Sequence, residues 1–328
     1  MGSGEAAAAE LELLTVGRVG VDLYPLQNGP LKGVQTFQKF LGGTATNVAV
    51  AAARLGHRTA VLTKVGADGF GDYVREAVAG FGVDASYVGT ADELLTPVVF
   101  CELDPPEDPP LLFYRRPTAP DLTLTDADVP WEVVAGVRVF WVTGTGASVE
   151  PARGTQLRML RHRGRPLPGS GHHTVVDLDW RSMFWPSPDD ARREYAALLE
   201  TATVVVGNRD EVEVAVGTRI PDEAADRLLE AGVELALVKQ GGDGVLVATS
   251  EARTVVPPHP VEVVCGLGAG DAFGGALVHG LLSGWEPARI AEYANAAGAI
   301  VASRLACADA MPTLDELTEL VASQGATR

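Results

Sequence analysis

Cysteine is scarce: Cys101, Cys265 and Cys307 are odd in number, far apart and free of any C-x-x-C spacing, so neither a disulfide framework nor a zinc site is expected. That usage fits a reducing cytoplasm. Positive charge is also short, with 26 Lys and Arg against 43 Asp and Glu and a formal net charge of -17, a field that repels polyanions and anionic membrane surfaces. Nucleic acid and membrane are therefore not expected partners. No apolar run approaches the roughly 18 residues that would span a bilayer. Residues 1–10 are Gly/Ala-rich and acidic, lacking the basic start and apolar core of a secretion signal, and are expected to form a disordered tail. No internal repeat or heptad is present.

What remains is 46% hydrophobic and 21% charged with 37 glycines, the profile of a compact α/β chain with many tight strand-to-helix turns. A single domain over residues 11–320 is expected. Strands are read at Leu11–Gly17, Thr59–Val65, Val137–Val142, Val175–Leu178, Val204–Val206 and Leu235–Val238, alternating with helical patterns such as Asn47–Leu55 and Phe70–Ala79. This rhythm predicts a mostly parallel central sheet with helices on both faces. Two segments, about 22–40 and 96–116, break it as extended hairpin material, the second turning through Asp104–Pro110. Together they read as a small β-sheet lid, and its exposed edges suggest a homodimer formed lid to lid. Arg161–His173, rich in Gly, Pro, Arg and His, reads as a polar loop whose adjacent histidines have no partner at ligand spacing.

Three motifs carry chemistry. In Gly268-Ala269-Gly270-Asp271 the glycines let backbone N–H groups at a helix start approach an anion, and Asp271 can take a proton from an attacking hydroxyl. An N-cap aspartate on an ordinary helix would look the same. The pair Gly42-Gly43 ahead of Asn47 brings backbone and an amide to one place, as a polyol ligand needs, although Thr44 or Thr46 could simply cap a helix. Asp22 adds a carboxylate for two hydroxyls or stands in a turn. Asn208-x-x-Glu211 follows an apolar strand at the edge where open α/β sheets bind ligands, placed to organise water around magnesium or to form a polar turn. Lys239 through Gly244, with Gly241, is a nucleotide loop or a hairpin turn. A dinucleotide fingerprint is missing from the start of the chain, which argues against a nicotinamide enzyme.

In this order and spacing, the Gly42-Gly43 pair with Asn47, Asn208-x-x-Glu211 and Gly268-Ala269-Gly270-Asp271 resemble the ribokinase (PfkB) sugar kinase family over nearly the whole chain. The resemblance implies a ribokinase-like, Rossmann-type sandwich with a β lid, ATP and Mg²⁺ as cosubstrates, Asp271 as general base and the amides of Gly268, Ala269 and Gly270 as anion hole. It further implies nucleotide contacts from Asn208, Lys239, Gly241, Gly244, Gly268, Gly270 and Asn295, with Glu211 and Asn208 holding magnesium through water. Gly17–Leu23, Thr36–Phe40, Val142–Gly146, Asp177–Arg181 with Trp185, and Ala310–Thr313 are most similar to the branch acting on 5-dehydro-2-deoxy-D-gluconate. Kinases for 2-keto-3-deoxygluconate lie nearby, and their acid-binding Tyr-Arg and Asp-x-Asn-x-Arg pairings match Tyr114-Arg115 and Asp177-x-Asp179-x-Arg181, with Asp179 replacing Asn. The implied substrate set is then Asp22, Gly42, Gly43, Asn47, Tyr114, Arg115 and Arg181, with Arg115 and Arg181 clamping a carboxylate. Fructose, a nucleoside or a catalytically silent sugar sensor remain alternatives. Cys265-Gly266-Leu267 stands where the family has Asp-Thr-Thr, which removes a carboxylate that helps hold a monovalent cation.

Overall fold

Short runs of Val, Leu and Ala build the centre of the molecule, because strands covered on both faces need apolar residues at every position. Leu13–Val16 and Val139–Thr143 are buried throughout. The computed structural model describes residues 11–27 and 29–325, so the expected tail over 1–10 lies outside the described residues. Its 10-stranded sheet runs in the order Arg253–Val256, Val245–Ala248, Leu235–Lys239, Val204–Asn208, His173–Asp177, Val139–Thr143, Leu13–Val16, Thr59–Gly66 and Val83–Asp84, with Val88–Ala91 also paired to Thr59–Gly66. Pairing is parallel from Leu235–Lys239 onward, and the antiparallel pairings are the two made by Val245–Ala248, with Leu235–Lys239 and with Arg253–Val256.

Side-chain alternation along these strands splits the interior into two layers. Leu13, Trp141, Val175 and Val204 face helices Thr44–Arg54, Ala269–Leu282 and Pro287–Ala302, whereas Leu14, Phe140, Val176 and Val205 face the opposite layer. A separate 4-stranded sheet has the order Phe37–Gly42, Gly20–Pro25, Val98–Cys101, Leu111–Tyr114. It is two hairpins joined by a parallel pairing of Val21–Leu23 with Val98–Phe100. The two segments that break the sequence rhythm thus form one sheet.

Arg161–His173 is not wholly loop: Arg161 to Arg163 complete the helix Ala152–Arg163 and His173 opens a strand. Arg163, the last residue of that helix, donates to Thr174 Oγ1 at 3.1 Å and to the carbonyls of Val134, in the short helix Trp131–Gly136, at 2.8 Å and His173 at 3.3 Å. Arg165 does the same for the carbonyls of Leu199, Glu200, Ala231 and Gly232. Helix C-termini leave carbonyls unpaired, and these two guanidinium groups cover several of them. Among the described residues no helix is long and apolar enough to cross a membrane.

Candidate active site

Two glycine-opened helices carry the central residues. Gly43, at φ 107°, precedes Thr44–Arg54, and a Cβ on it would stand 2.4 Å from the Arg18 carbonyl oxygen. At Gly42 a Cβ would lie 2.2 Å from the Asp22 carboxyl, so only glycine fits either place. The helix starts earlier than the sequence reading places it, putting Asn47 in its first turn. Neither Thr44 nor Thr46 caps it, since Thr46 Oγ1 donates to the Arg18 carbonyl and Thr44 Oγ1 accepts from Arg18. Gly268, left-handed at φ 82°, precedes Ala269–Leu282, whose first turn contains Asp271. These helices touch through Gly275, where a Cβ would meet Ala51 Cβ at 2.2 Å.

Asp271 and Asn47 meet in one cleft with Asp22, Gly43 and Gly268. Asn47 Nδ2 donates to Asp271 Oδ2 at 2.7 Å, while the buried Asn47 Oδ1 has no hydrogen-bond partner. Burial pushes the Asp271 carboxyl up to about 6, against the opposing Asn47 hydrogen bond. Asp22, also raised by burial, reaches about 7 in spite of Arg18, and the negative charge of Asp271 adds to the rise. A carboxylate at a helix start with its affinity for protons raised toward neutrality is equipped to accept one from a bound hydroxyl.

Arg18, Arg115 and Arg181 line the same cleft, with the Phe113 ring between the lid and the sheet. Arg115 is not a free cation, because its Nη2 donates to the buried Asp121 Oδ2 at 2.9 Å. Its guanidinium lies 5.3 Å from the Phe184 ring centre. Arg181 Nε is 3.4 Å from Asp179 Oδ1, and 42% of its side chain is exposed. Burial disfavours the Arg181 charge, but Asp179, Glu211, Asp271 and Asp177 more than offset it and hold the group protonated. Tyr114 departs from its expected place: alternation along Leu111–Tyr114 turns it to the outer face of the small sheet, beside Phe100 and Leu112, where it is 62% exposed.

The expected nucleotide residues gather at the C-terminal strand ends. Asn208 is the register partner of Lys239, and Arg209 Nη2 joins the two turns by donating to Gln240 Oε1 at 3.0 Å and Asp243 Oδ2 at 2.7 Å. Asn208 and Glu211 form a reciprocal cap: Asn208 Oδ1 accepts from the Asp210 and Glu211 amides, and Glu211 Oε2 accepts from the Asn208 amide at 2.6 Å. Lys239 Nζ lies 3.4 Å from the position of a Gly270 Cβ, against the glycines that begin the Asp271 helix. Burial opposes its charge, but Glu211, Asp177 and Asp271 raise its affinity for the proton above that of ordinary lysine. Gly241 and Gly244 shape a hairpin between antiparallel strands; Gly244, at φ 90°, leaves no room beside the Val256 carbonyl. Asn295 Nδ2 donates to the Val256 and Pro257 carbonyls at 3.2 and 2.9 Å, and like Asn208, Lys239, Gly241 and Gly244 it lies outside the lining of the Asp271 cleft.

Asp177, which the sequence match included without a role, is buried at its strand end, and burial raises its carboxyl well above the carboxylate range against the pull of Lys239. Sequence reasoning missed Asp121 and Phe184, which act only through tertiary contact and which no local pattern marks. The cysteines, distant in sequence, converge around Tyr24, whose hydroxyl is 3.0 Å from Cys307 Sγ. Cys307 lies in turn against Gly268, 2.9 Å from the place of a Cβ there.

The family model described as pfkB family carbohydrate kinase matches residues 10–314. A 5-dehydro-2-deoxygluconokinase of Clostridium perfringens is 29% identical over 320 residues, covering 95% of this chain and 93% of the relative. Its counterpart in Geobacillus thermodenitrificans is 30% identical over 320 residues, with the same coverage of 95% and 93%. A putative ribokinase II of E. coli, solved in complex with ATP and Mg²⁺, superposes with a TM-score of 0.85 at 22% identity, covering 95% of this chain and 99% of that one. The fold is thus ribokinase-like, and with a match running through both helices of the cleft, the chain belongs to the pfkB family of carbohydrate kinases.

Proposed function

We propose that this kinase transfers the γ-phosphoryl group of ATP to the terminal primary hydroxyl of 5-dehydro-2-deoxy-D-gluconate, a keto-sugar acid of inositol catabolism. The carrying observation is a single cleft in which the Asp271 carboxylate, at a helix start and hydrogen-bonded by Asn47, shares its walls with three arginines. The activity named for the Clostridium and Geobacillus relatives supports this choice of acid.

Asp22, Gly43 and Asn47 orient the sugar hydroxyls. Asp271 accepts the proton of the reacting hydroxyl as its oxygen attacks the γ-phosphorus in line. The amides of Gly268 to Gly270, with Lys239 beside them, stabilise the charge gathering on the phosphoryl oxygens. Magnesium, when bound to the nucleotide, would neutralise phosphate charge, and Glu211, held through Oε2 by the Asn208 amide, offers its other carboxylate oxygen as a hard partner for the water shell. Arg181, whose guanidinium is open to the cleft, and Arg115, shared with Asp121, take the acid end of the sugar. Free buried thiols suit a cytoplasmic enzyme.

The outer face of the small sheet, with Leu112 48% and Tyr114 62% exposed, suits pairing with a second copy. Leu112→Glu would then yield monomers by sedimentation; an unchanged oligomer rejects that pairing. For the activity, ADP release is measured over keto-sugar acids, D-fructose and nucleosides. The highest kcat/KM is expected with 5-dehydro-2-deoxy-D-gluconate, and faster turnover of a neutral sugar would overturn the assignment.

A further inference from the structure

We propose that Arg18 is a specificity-determining residue that selects a carboxylate on the sugar, and that Asp179 is its counter-ion, not a contact to the substrate. The inference rests on the sugar-acid reading above and gives a role to a residue that the Gly17–Leu23 match contained but did not single out.

Arg18 is fixed from both ends. Its carbonyl accepts from Thr46 Oγ1 at 3.1 Å and abuts Gly43, so the turn between the large and small sheets holds the backbone still. At the other end Nη2 donates to both Asp179 oxygens at 2.9 Å and to Thr44 Oγ1, while Nε donates to Thr145 Oγ1 at 3.2 Å. Nη1 alone makes no hydrogen bond with the described residues, and Arg18 lines the cleft. A guanidinium locked on one edge with the other edge unspent is preorganised to donate to a planar anion. The flanking rings of Phe113 and Phe184, 6.0 and 5.8 Å from the Arg18 guanidinium carbon, keep it from swinging away.

Ion pairing leads the same way. Arg115 has Asp121 to itself, whereas Arg18 and Arg181 share the one carboxylate of Asp179, with Asp22 and Asp271 on other parts of the cleft wall. Asp179, 2% exposed and held by Arg18, Arg181 and Thr145, has no oxygen to spare for a hydroxyl. An amide there would leave Arg18 as a buried cation without its counter-charge.

The test uses the full-length chain and calorimetric titration with 5-dehydro-2-deoxy-D-gluconate and with D-fructose as a neutral ketose. Arg18→Met alone strands the Asp179 carboxylate and can unfold the protein, so the main variant is Arg18→Met with Asp179→Asn, which removes both charges. It is expected to melt near the parent temperature, to lose acid affinity by about tenfold or more, and to bind the neutral sugar as before. Arg18→Lys keeps a cation against Asp179 without the fork and should give an intermediate loss. An unchanged acid-to-neutral ratio in either variant, or a parent protein that does not prefer the acid, overturns the inference. Preference for the acid in binding without its phosphorylation would instead refute the proposed activity and leave Arg18 in its role.

Discussion

Asn47 Nδ2 and Asp271 Oδ2 stand 2.7 Å apart, a hydrogen bond between residues separated by 224 positions and carried on two different helices. It fixes one carboxylate oxygen, leaving the other to meet the acceptor. Replacement of Asp271 by Asn should lower kcat by about 10² to 10⁴ without changing the melting temperature by more than a few degrees. Turnover near the parent rate would remove Asp271 from the role of base.

The same pair sets the acid limb of the pH profile. Asp271 works deprotonated and its carboxyl is raised to about 6, so kcat/KM should rise with pH and level off above that value. Asn47→Ala removes an interaction that lowers the carboxyl, and the limb should move to higher pH. A limb that stays in place would show that the amide does not tune the base.

Stability should carry the opposite slope. Asp22 and Asp271 are raised from 3.8 to about 7 and about 6, so between those limits the folded protein holds protons that the unfolded chain has released. Their contribution is present below pH 3.8 and declines as pH rises through the folded values. Asp22→Asn should flatten the dependence of the melting temperature over that window in the absence of ligand. A slope equal to that of the parent would place Asp22 outside the linkage.

Gly275 has no space for a side chain against Ala51. Gly275→Val should destabilise the fold by about 1–3 kcal/mol through overpacking, and should reduce kcat as well, because it separates the helices bearing Asn47 and Asp271. Chemical denaturation and initial rates measure both. A loss of stability with full kcat would show that the helix contact does not set the site.

Arg163 offers a contrast, being far from the reacting groups. Burial pushes it down to about 10, and it satisfies carbonyls at a helix end and beside a strand. Arg163→Met should cost about 1–3 kcal/mol of stability and leave KM and kcat unchanged. Altered kinetics would mean that this segment reaches the site.

Most of the architecture was legible because alternating apolar strands and helices leave a strong periodic trace, and Gly42, Gly43 and Gly268 mark places where backbone must come close to something. Asp22, Asn47 and Asp271 could be chosen for the same reason. Tyr114 could not be placed: a one-residue alternation decides which face of the small sheet it takes, and the register of that strand is a tertiary matter. Arg115 looked available because its partner, Asp121, lies beyond the strand in a turn with no pattern of its own. Asn208 and Glu211 fit a cap and a magnesium shell equally well; the fold makes the cap with Asn208 Oδ1 and Glu211 Oε2, a pairing of specific atoms that the spacing alone does not announce. The meeting of three cysteines near Gly268 has no trace in the sequence, since nothing local ties Cys101 to Cys265 or Cys307.

The contact of Gly275 with Ala51 divides the cleft into a constant part and an adjustable one. With two helices pressed backbone to side chain, the spacing of proton acceptor and amide is decided when the chain folds, before any sugar arrives. The arginines instead hang on strand ends, a turn and the small sheet, Arg115 paired with Asp121 and Arg18 and Arg181 sharing Asp179. A change of acceptor can therefore proceed by exchanging a cation together with its partner, leaving the phosphoryl-transfer apparatus untouched.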